Sequence, residues 1–169
     1  MFEDEASFQL DPSLHRTWAR RGHQPRVATR GERKTAHVFG AIDVATAAFH
    51  FAFADIFNGA TFFGFLKQLV EKHPGQKLFL ILDNGPCHNL NAEGKEWLAA
   101  NKHRIELHRL PPYSPEFNGI EGCWKTTRRL TTHNRYFETT AERDAALTAT
   151  FERFNRQPDL VRGHVARFV

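Results

Sequence analysis

The chain has 169 residues, the length of one ordinary domain, and a hydrophobic fraction of 41%, which excludes a disordered segment. Lys plus Arg exceed Asp plus Glu by 23 to 19, a mild basic excess that permits a polyanionic partner without requiring one. No apolar run is long enough to span a membrane, and two cysteines, Cys87 and Cys123, are too few for a disulfide scaffold and suit a reducing cytoplasm.

In chain order, Phe2 to Leu10 reads as an extended start. A basic run, "RTWARRGHQPRVATRGERK", follows and carries Arg16, Arg20, Arg21, Arg26, Arg30, Arg33 and Lys34. Apolar runs at Val38–Val44 and Ala48–Ala54, split by small and polar residues, predict an antiparallel hairpin. Asn58 is placed to cap a helix whose apolar positions Phe62, Phe65, Leu66, Leu69 and Val70 keep helical spacing up to Pro74-Gly75. Leu78–Leu82 reads as a buried strand. A second helix falls within Leu90–Lys102, with Leu90, Trp97 and Leu98 on one side, and a strand follows with alternation at Ile105, Leu107 and Arg109. Pro111-Pro112 breaks the chain, which restarts as a helix with Ser114 at the N-cap and Pro115 at the first position. A last helix covers roughly 140–155, with Ala145, Leu147, Phe151 and Phe154 as its apolar face. The sixteen phenylalanines carry no polar handle and are expected mainly as core filling. The order predicts an α/β domain over residues 1–169, its mixed sheet antiparallel in the first half and parallel in the second.

Three acids carry the chemistry. Asp83 stands at the end of the buried strand, where open α/β sheets bind ligands and where a bare carboxylate is costly unless a cation offsets its desolvation. On a helix counted from Phe117, Glu121 falls on the face of Phe117, Ile120 and Trp124, bracketed by Gly119 and Gly122, which suit close approach to another backbone. Asp4 is the third, and alternation sends Glu3 and Glu5 to the opposite face. Carboxylates from two strands and a helix can hold two Mg²⁺ ions roughly 4 Å apart for in-line displacement at a phosphodiester. Cys87-His88 lacks a CxxC or HxxxH companion, so no zinc–thiolate site is expected.

Four blocks then carry a family likeness: "DEASFQLDPSLHRTWARRGHQP", "GAIDVATAAFHF", "LILDNGPCH" and "LPPYSPEFNGIEGCWK". With these the chain resembles the DDE transposases of bacterial insertion sequences in the mariner superfamily. The resemblance implies a ribonuclease-H-like fold with a mixed five-stranded sheet flanked by helices. It also implies DNA strand cleavage and strand transfer dependent on Mg²⁺, with Mn²⁺ as substitute. It maps the catalytic and metal-binding triad onto Asp4, Asp83 and Glu121, with Asn84 and His88 as matching positions. Trp18 and Trp124 match as well and are expected to pack. Gly119 stands where the family usually has Pro.

The implied partner is DNA, both transposon ends and target, gripped by Arg16, Arg20, Arg21, Arg26, Lys125 and Arg128. A homodimer in the active complex and a bacterial, nucleoid-associated location are also implied, without a membrane partner. The family's helix-turn-helix DNA-reading segments are not in this sequence, which reads as the catalytic domain alone. In this fold the first strand is central and ends at the first acid. Only three residues precede Asp4, so that strand is expected to be cut short. The alternative is therefore an inactive remnant that binds DNA without sequence preference or serves as an interaction module; a nuclease that cuts without strand transfer is a third reading.

Overall fold

The computed structural model describes residues 1–112 and 114–168; Tyr113, inside the fourth block, and Val169 lie outside the described residues. Five strands form one mixed sheet in the order β3-β2-β1-β4-β5: β1 Phe2–Gln9, β2 Thr35–Ile42, β3 Phe49–Ala54, β4 Leu78–Leu82 and β5 Ile105–Arg109. β1 to β3 pair antiparallel, whereas β4 pairs parallel with both β1 and β5. Five helices flank the sheet: α1 Gly59–Lys72, α2 Ala92–Ala100, α3 Glu121–Thr127, α4 Thr140–Arg156 and α5 Asp159–Val165.

Alternation along the strands builds two cores. On one face Phe39, Ala41, Leu80 and Leu82 meet Phe62, Phe65, Leu66 and Leu69 of α1. On the other Phe2, Phe8, Val38, Ile42 and Phe49 meet Trp124, Leu147, Phe151, Phe154, Val161 and Val165 from α3, α4 and α5. The phenylalanines supply most of the largest buried side chains, as a residue without a polar atom should. Asn58 caps α1, its side chain accepting from the Ala60 and Thr61 amides, and the Thr61 hydroxyl closes the reciprocal box.

Several expectations need correction. The first strand is not cut short. It runs eight residues, with Asp4 third rather than last, and pairs along its full length with β2. The short ladder is instead the one between β1 and β4, where Phe2 opposite Ile81 is the single strand pair. Where that ladder stops, the buried Asn118 amide donates to the Glu3 carbonyl at 3.2 Å, supplying the hydrogen bond that a neighbouring strand would have made. Second, no continuous helix runs from Ser114. A short 3₁₀ turn, Pro115–Phe117, ends before Asn118, and α3 starts at Glu121 itself. The Ser114 hydroxyl donates back to the Pro112 carbonyl instead of capping, and Phe117 is exposed. Third, Ala145 faces solvent; the buried face of α4 is Arg143, Leu147, Thr150, Phe151 and Phe154. Fourth, α5 was not expected, although Val161 and Val165 keep an i, i+4 spacing after Pro158.

Trp18 does not pack. It is 100% exposed within an irregular arm, residues 11–34, that joins β1 to β2. The arm is tied only at its base. Asp11 accepts from the Thr29 hydroxyl and from the Arg30 and Gly31 amides, while Asn134 exchanges two hydrogen bonds with the His15 backbone. Buried Arg143 holds the Phe8 and Lys34 carbonyls at 3.2 and 2.7 Å, joining the arm's two ends to α4. Among the described residues no helix is long and apolar enough to cross a membrane, and both cysteines are free and buried.

Candidate functional site

Asp4 projects from β1 toward the α3 side of the sheet, as alternation places Phe2, Asp4, Ala6 and Phe8 together. The indole N–H of Trp124 donates to its Oδ2 at 3.1 Å. The indole can lie there because Gly40, directly opposite Asp4 on β2, has no side chain. A Cβ at Gly40 would come within 2.4 Å of the Trp124 ring. We expect Gly40→Ala to destabilise the fold by about 1–3 kcal/mol through overpacking. Urea unfolding checks this, and an unchanged midpoint would mean that Trp124 is not held in this slot.

Glu121 opens α3, one helical turn before Trp124, so a single short helix supplies both the acid and the group that fixes Asp4. Burial, then the charges of Glu5, Glu121 and Glu3, push the Asp4 carboxyl up to about 8. The Glu121 charge thus acts on Asp4 from the start of α3. The glycines beside Glu121 make room for side chains rather than for the expected backbone. A Cβ at Gly122 would fall 2.3 Å from the His164 ring of α5, and one at Gly119 about 3.0 Å from Phe2 and Val165.

Asp83 lies one residue beyond β4. Beyond the strand its side is set by its contacts rather than by alternation, and these turn toward His88. Its Oδ1 accepts from the Gly85 amide at 2.7 Å and meets His88 Nδ1 at 3.0 Å, and its side chain is 50% exposed. Asn84 donates to the Leu110 carbonyl at 2.8 Å and so joins the exits of β4 and β5. Open clefts adjoin the acids on either side. One, of 590 Å³, includes Asn118, Glu121, Lys125, His164 and Arg167; the other, of 460 Å³, includes Asp83, Asn84, Gly85 and Leu110.

On the opposite face of β1, Glu3 is fully buried and its carboxyl is pushed up to about 7, chiefly by burial. His88 Nε2 lies 3.0 Å from Glu3 and 3.4 Å from Glu5, and none of the ring's carboxylate contacts, that of Nδ1 with Asp83 included, lines up as a hydrogen bond. Ligand atoms of Glu5, Cys87 and His88 also lie within 4.8 Å of one another, a proximity that local spacing could not reveal. Both ring nitrogens face carboxylates, surroundings that favour the doubly protonated ring, which has no lone pair for a metal. Burial pulls the His88 ring down, but its contacts with Cys87 and Glu3 outweigh this and hold it up to about 11.

Asp4, Asp83 and Glu121 offer only oxygen, the donor chemistry of a hard divalent cation, but they are not among the described residues whose ligand atoms lie within 4.8 Å of one another. The mutual repulsion at Asp4 is the strain such a cation would relieve.

Of the basic residues singled out, Arg16, Arg20, Arg21 and Arg26 are all exposed on the arm. Lys125 projects from α3 into the cleft beside Glu121. Arg128 is half-buried, its guanidinium 5.3 Å over the Phe8 ring. Two contributors escaped the sequence reading. Asn118 bridges the gap between the strands, and Arg109 donates to the Asp83 and His88 carbonyls, each at 3.2 Å, clamping the turn between them. The only local signal for Asn118 was its place in the fourth block.

Residues 1–142 match the family model for the DDE superfamily endonuclease. The chain is 30% identical over 134 residues to the insertion element IS630 uncharacterized 39 kDa protein of Shigella sonnei, covering 79% of this chain and 38% of that protein. The Mos1 transposase paired-end complex with the left transposon end superposes with a TM-score of 0.70 at 14% identity, covering 97% of this chain and 50% of that one. The Mos1 mariner paired-end complex with Mn gives 0.68 at 14% identity, over 98% and 51%. The catalytic core domain of BIV integrase gives 0.53 at 17% identity, over 72% and 76%. The five-stranded sheet with its flanking helices is thus a ribonuclease-H-like fold shared with transposase and integrase cores. The chain spans less than half the length of the IS630 protein and about half that of the Mos1 chains.

Proposed function

The chain belongs to the DDE superfamily of endonucleases, and on that footing we propose that it is the catalytic domain of an insertion-sequence transposase, cleaving DNA strands and joining them to a target. What supports this reading is the match of residues 1–142 to the DDE endonuclease family, together with the influence of the Glu121 charge on Asp4 and the place of Asp83 just beyond β4, the strand beside β1.

In this reading Asp4, Asp83 and Glu121 hold two Mg²⁺ or Mn²⁺ ions. When bound, such ions lower the pKa of an attacking water or 3′-hydroxyl and stabilise the leaving oxygen. The protein supplies the rest. Trp124 fixes the orientation of Asp4, and the 2.7 Å Gly85 hydrogen bond fixes Asp83 through Oδ1. Lys125 brings a positive charge into the cleft beside Glu121, where a phosphodiester enters. Arg16, Arg20, Arg21 and Arg26, on an arm with no packing role of their own, hold the duplex by its phosphates. Two DNA ends must be brought together for joining, which assigns a homodimer to the active complex.

The test is a supercoiled plasmid incubated with purified protein. Nicked circles are expected with Mg²⁺ or Mn²⁺, none in EDTA, and recovery when Mn²⁺ is restored in excess. A different result, DNA retained by the protein and released steeply by salt but never cut, would establish the second reading. The chain would then be an inactive relative gripping DNA through the exposed basic arm.

A further inference from the structure

We propose that His88 is a positioning residue that holds the Asp83 carboxylate for metal binding, using Glu3 and Glu5 as its anchor on β1. This role rests on the reading of Asp83 as a metal ligand. The 3₁₀ turn Pro86–His88 folds the ring back beneath the end of β4, where its side chain is fully buried against the edge of Phe62, 4.8 Å between ring centres. One nitrogen faces Asp83 Oδ1 at 3.0 Å; the other faces Glu3 and Glu5 at 3.0 and 3.4 Å.

The ring therefore joins the end of β4 to β1 just where the backbone ladder between them has ended. Gly85 is what lets them meet. A Cβ there would lie 2.9 Å from Asp83 Oδ1, 3.3 Å from Glu5 and 3.4 Å from His88 Nδ1. Both inward contacts of Asp83, from Gly85 and from His88, fall on Oδ1. Without the ring, three carboxylates would face one another across the space it fills, and the Gly85 amide would be left to hold Asp83. A ligand carboxylate held by a buried partner is preorganised, and losing such a partner typically costs about 10- to 100-fold in metal affinity.

Two variants separate positioning from simple packing. In His88→Asn the amide nitrogen reaches roughly the place of Nδ1 and keeps a donor for Asp83. In His88→Gln it reaches toward Nε2 and keeps one for Glu3. The readouts are Mn²⁺ affinity, from the free-ion electron paramagnetic resonance signal, and the unfolding temperature in EDTA. We expect His88→Asn to bind Mn²⁺ within about threefold of wild type and His88→Gln to bind about tenfold or more weakly. His88→Gln, which keeps the buried Glu3 partnered, should nonetheless be the more stable variant. Equal Mn²⁺ affinity in both variants and wild type overturns the role, as does an affinity that falls only in step with stability. If Asp83→Asn binds Mn²⁺ as wild type does, the ligand assignment itself fails, a result distinguishable because it does not depend on His88.

Discussion

Asp83→Asn and Glu121→Gln should each slow Mn²⁺-dependent nicking by about 10²- to 10³-fold, the loss of roughly 3–4 kcal/mol of transition-state stabilisation. Each substitution keeps the side chain's size and removes its charge. Asp83 is half-exposed and Glu121 only partly buried at the first position of α3, so neither holds the core together. Unfolding temperatures should accordingly stay close to wild type. The double variant should lose little more than either single one, because residues that act through one metal site are not additive. Single-turnover nicking of a plasmid, with circular dichroism as the control for folding, measures both quantities. Wild-type rates in both variants would remove these acids from the chemistry.

In EDTA the fold should lose stability as pH rises from about 5 to 8, and Asp4→Asn should remove a large part of that loss. The Asp4 carboxyl is pushed from 3.8 up to about 8 by burial and by the charges of Glu5, Glu121 and Glu3. Glu3 is pushed from 4.5 up to about 7, first by burial. Between the unfolded and folded values the native state keeps protons that the unfolded chain has released, so stability falls with pH across that window. His88, held up to about 11 from 6.5, acts in the same direction; its contribution is complete below about 6.5 and declines above it.

For Asp4 alone the effect should be on the order of 2–3 kcal/mol by pH 8. Metal reverses the slope. A cation must displace the Asp4 proton, so stabilisation by Mn²⁺ should grow with pH. Thermal unfolding at several pH values, with EDTA and with Mn²⁺, gives both slopes. Stability that rises with pH in EDTA, or an Asp4→Asn protein with the wild-type slope, would show that Asp4 is not held in a repelling cluster. The expected variant is thus more stable without metal, although it has lost a ligand, the pattern of a site held under strain for function.

The path from sequence to site was uneven. Asp83 could be singled out because five apolar residues end on it, and local pattern marks a strand end well. The α1 cap and the hairpin were legible for the same reason: the signal and the contact lie within a few residues. Glu121 was placed on a helix, but the helix was drawn too early. Proline and serine at 114–115 are good starting residues, yet Asn118 turns its amide to Glu3 across the sheet and the chain breaks there. Trp18 and Trp124 looked alike in sequence. One is fully exposed on the arm, and the other lies under Asp4 in the gap left by Gly40. The local surroundings did differ, a basic run around Trp18 and apolar Ile120 a turn before Trp124, but the shared likeness to the family carried more weight. Nothing local marks Arg143 for burial, which the meeting of the Phe8 and Lys34 carbonyls at one point explains.

Sequence by itself determined the order of the five strands and the mixed character of the sheet, and it singled out three acids as candidates, because each depends on periodicity, turn chemistry or motifs that are local along the chain. Tertiary structure alone decided which side groups hold those acids. Trp124 reaches Asp4 across 120 positions, and His88 links Asp83 to Glu3 and Glu5 from the far end of the chain's first strand. The reason is physical. The charge and orientation of a carboxylate are set by what surrounds it within a few ångströms, and in a sheet whose central strand comes first those surroundings are drawn from segments far apart in sequence.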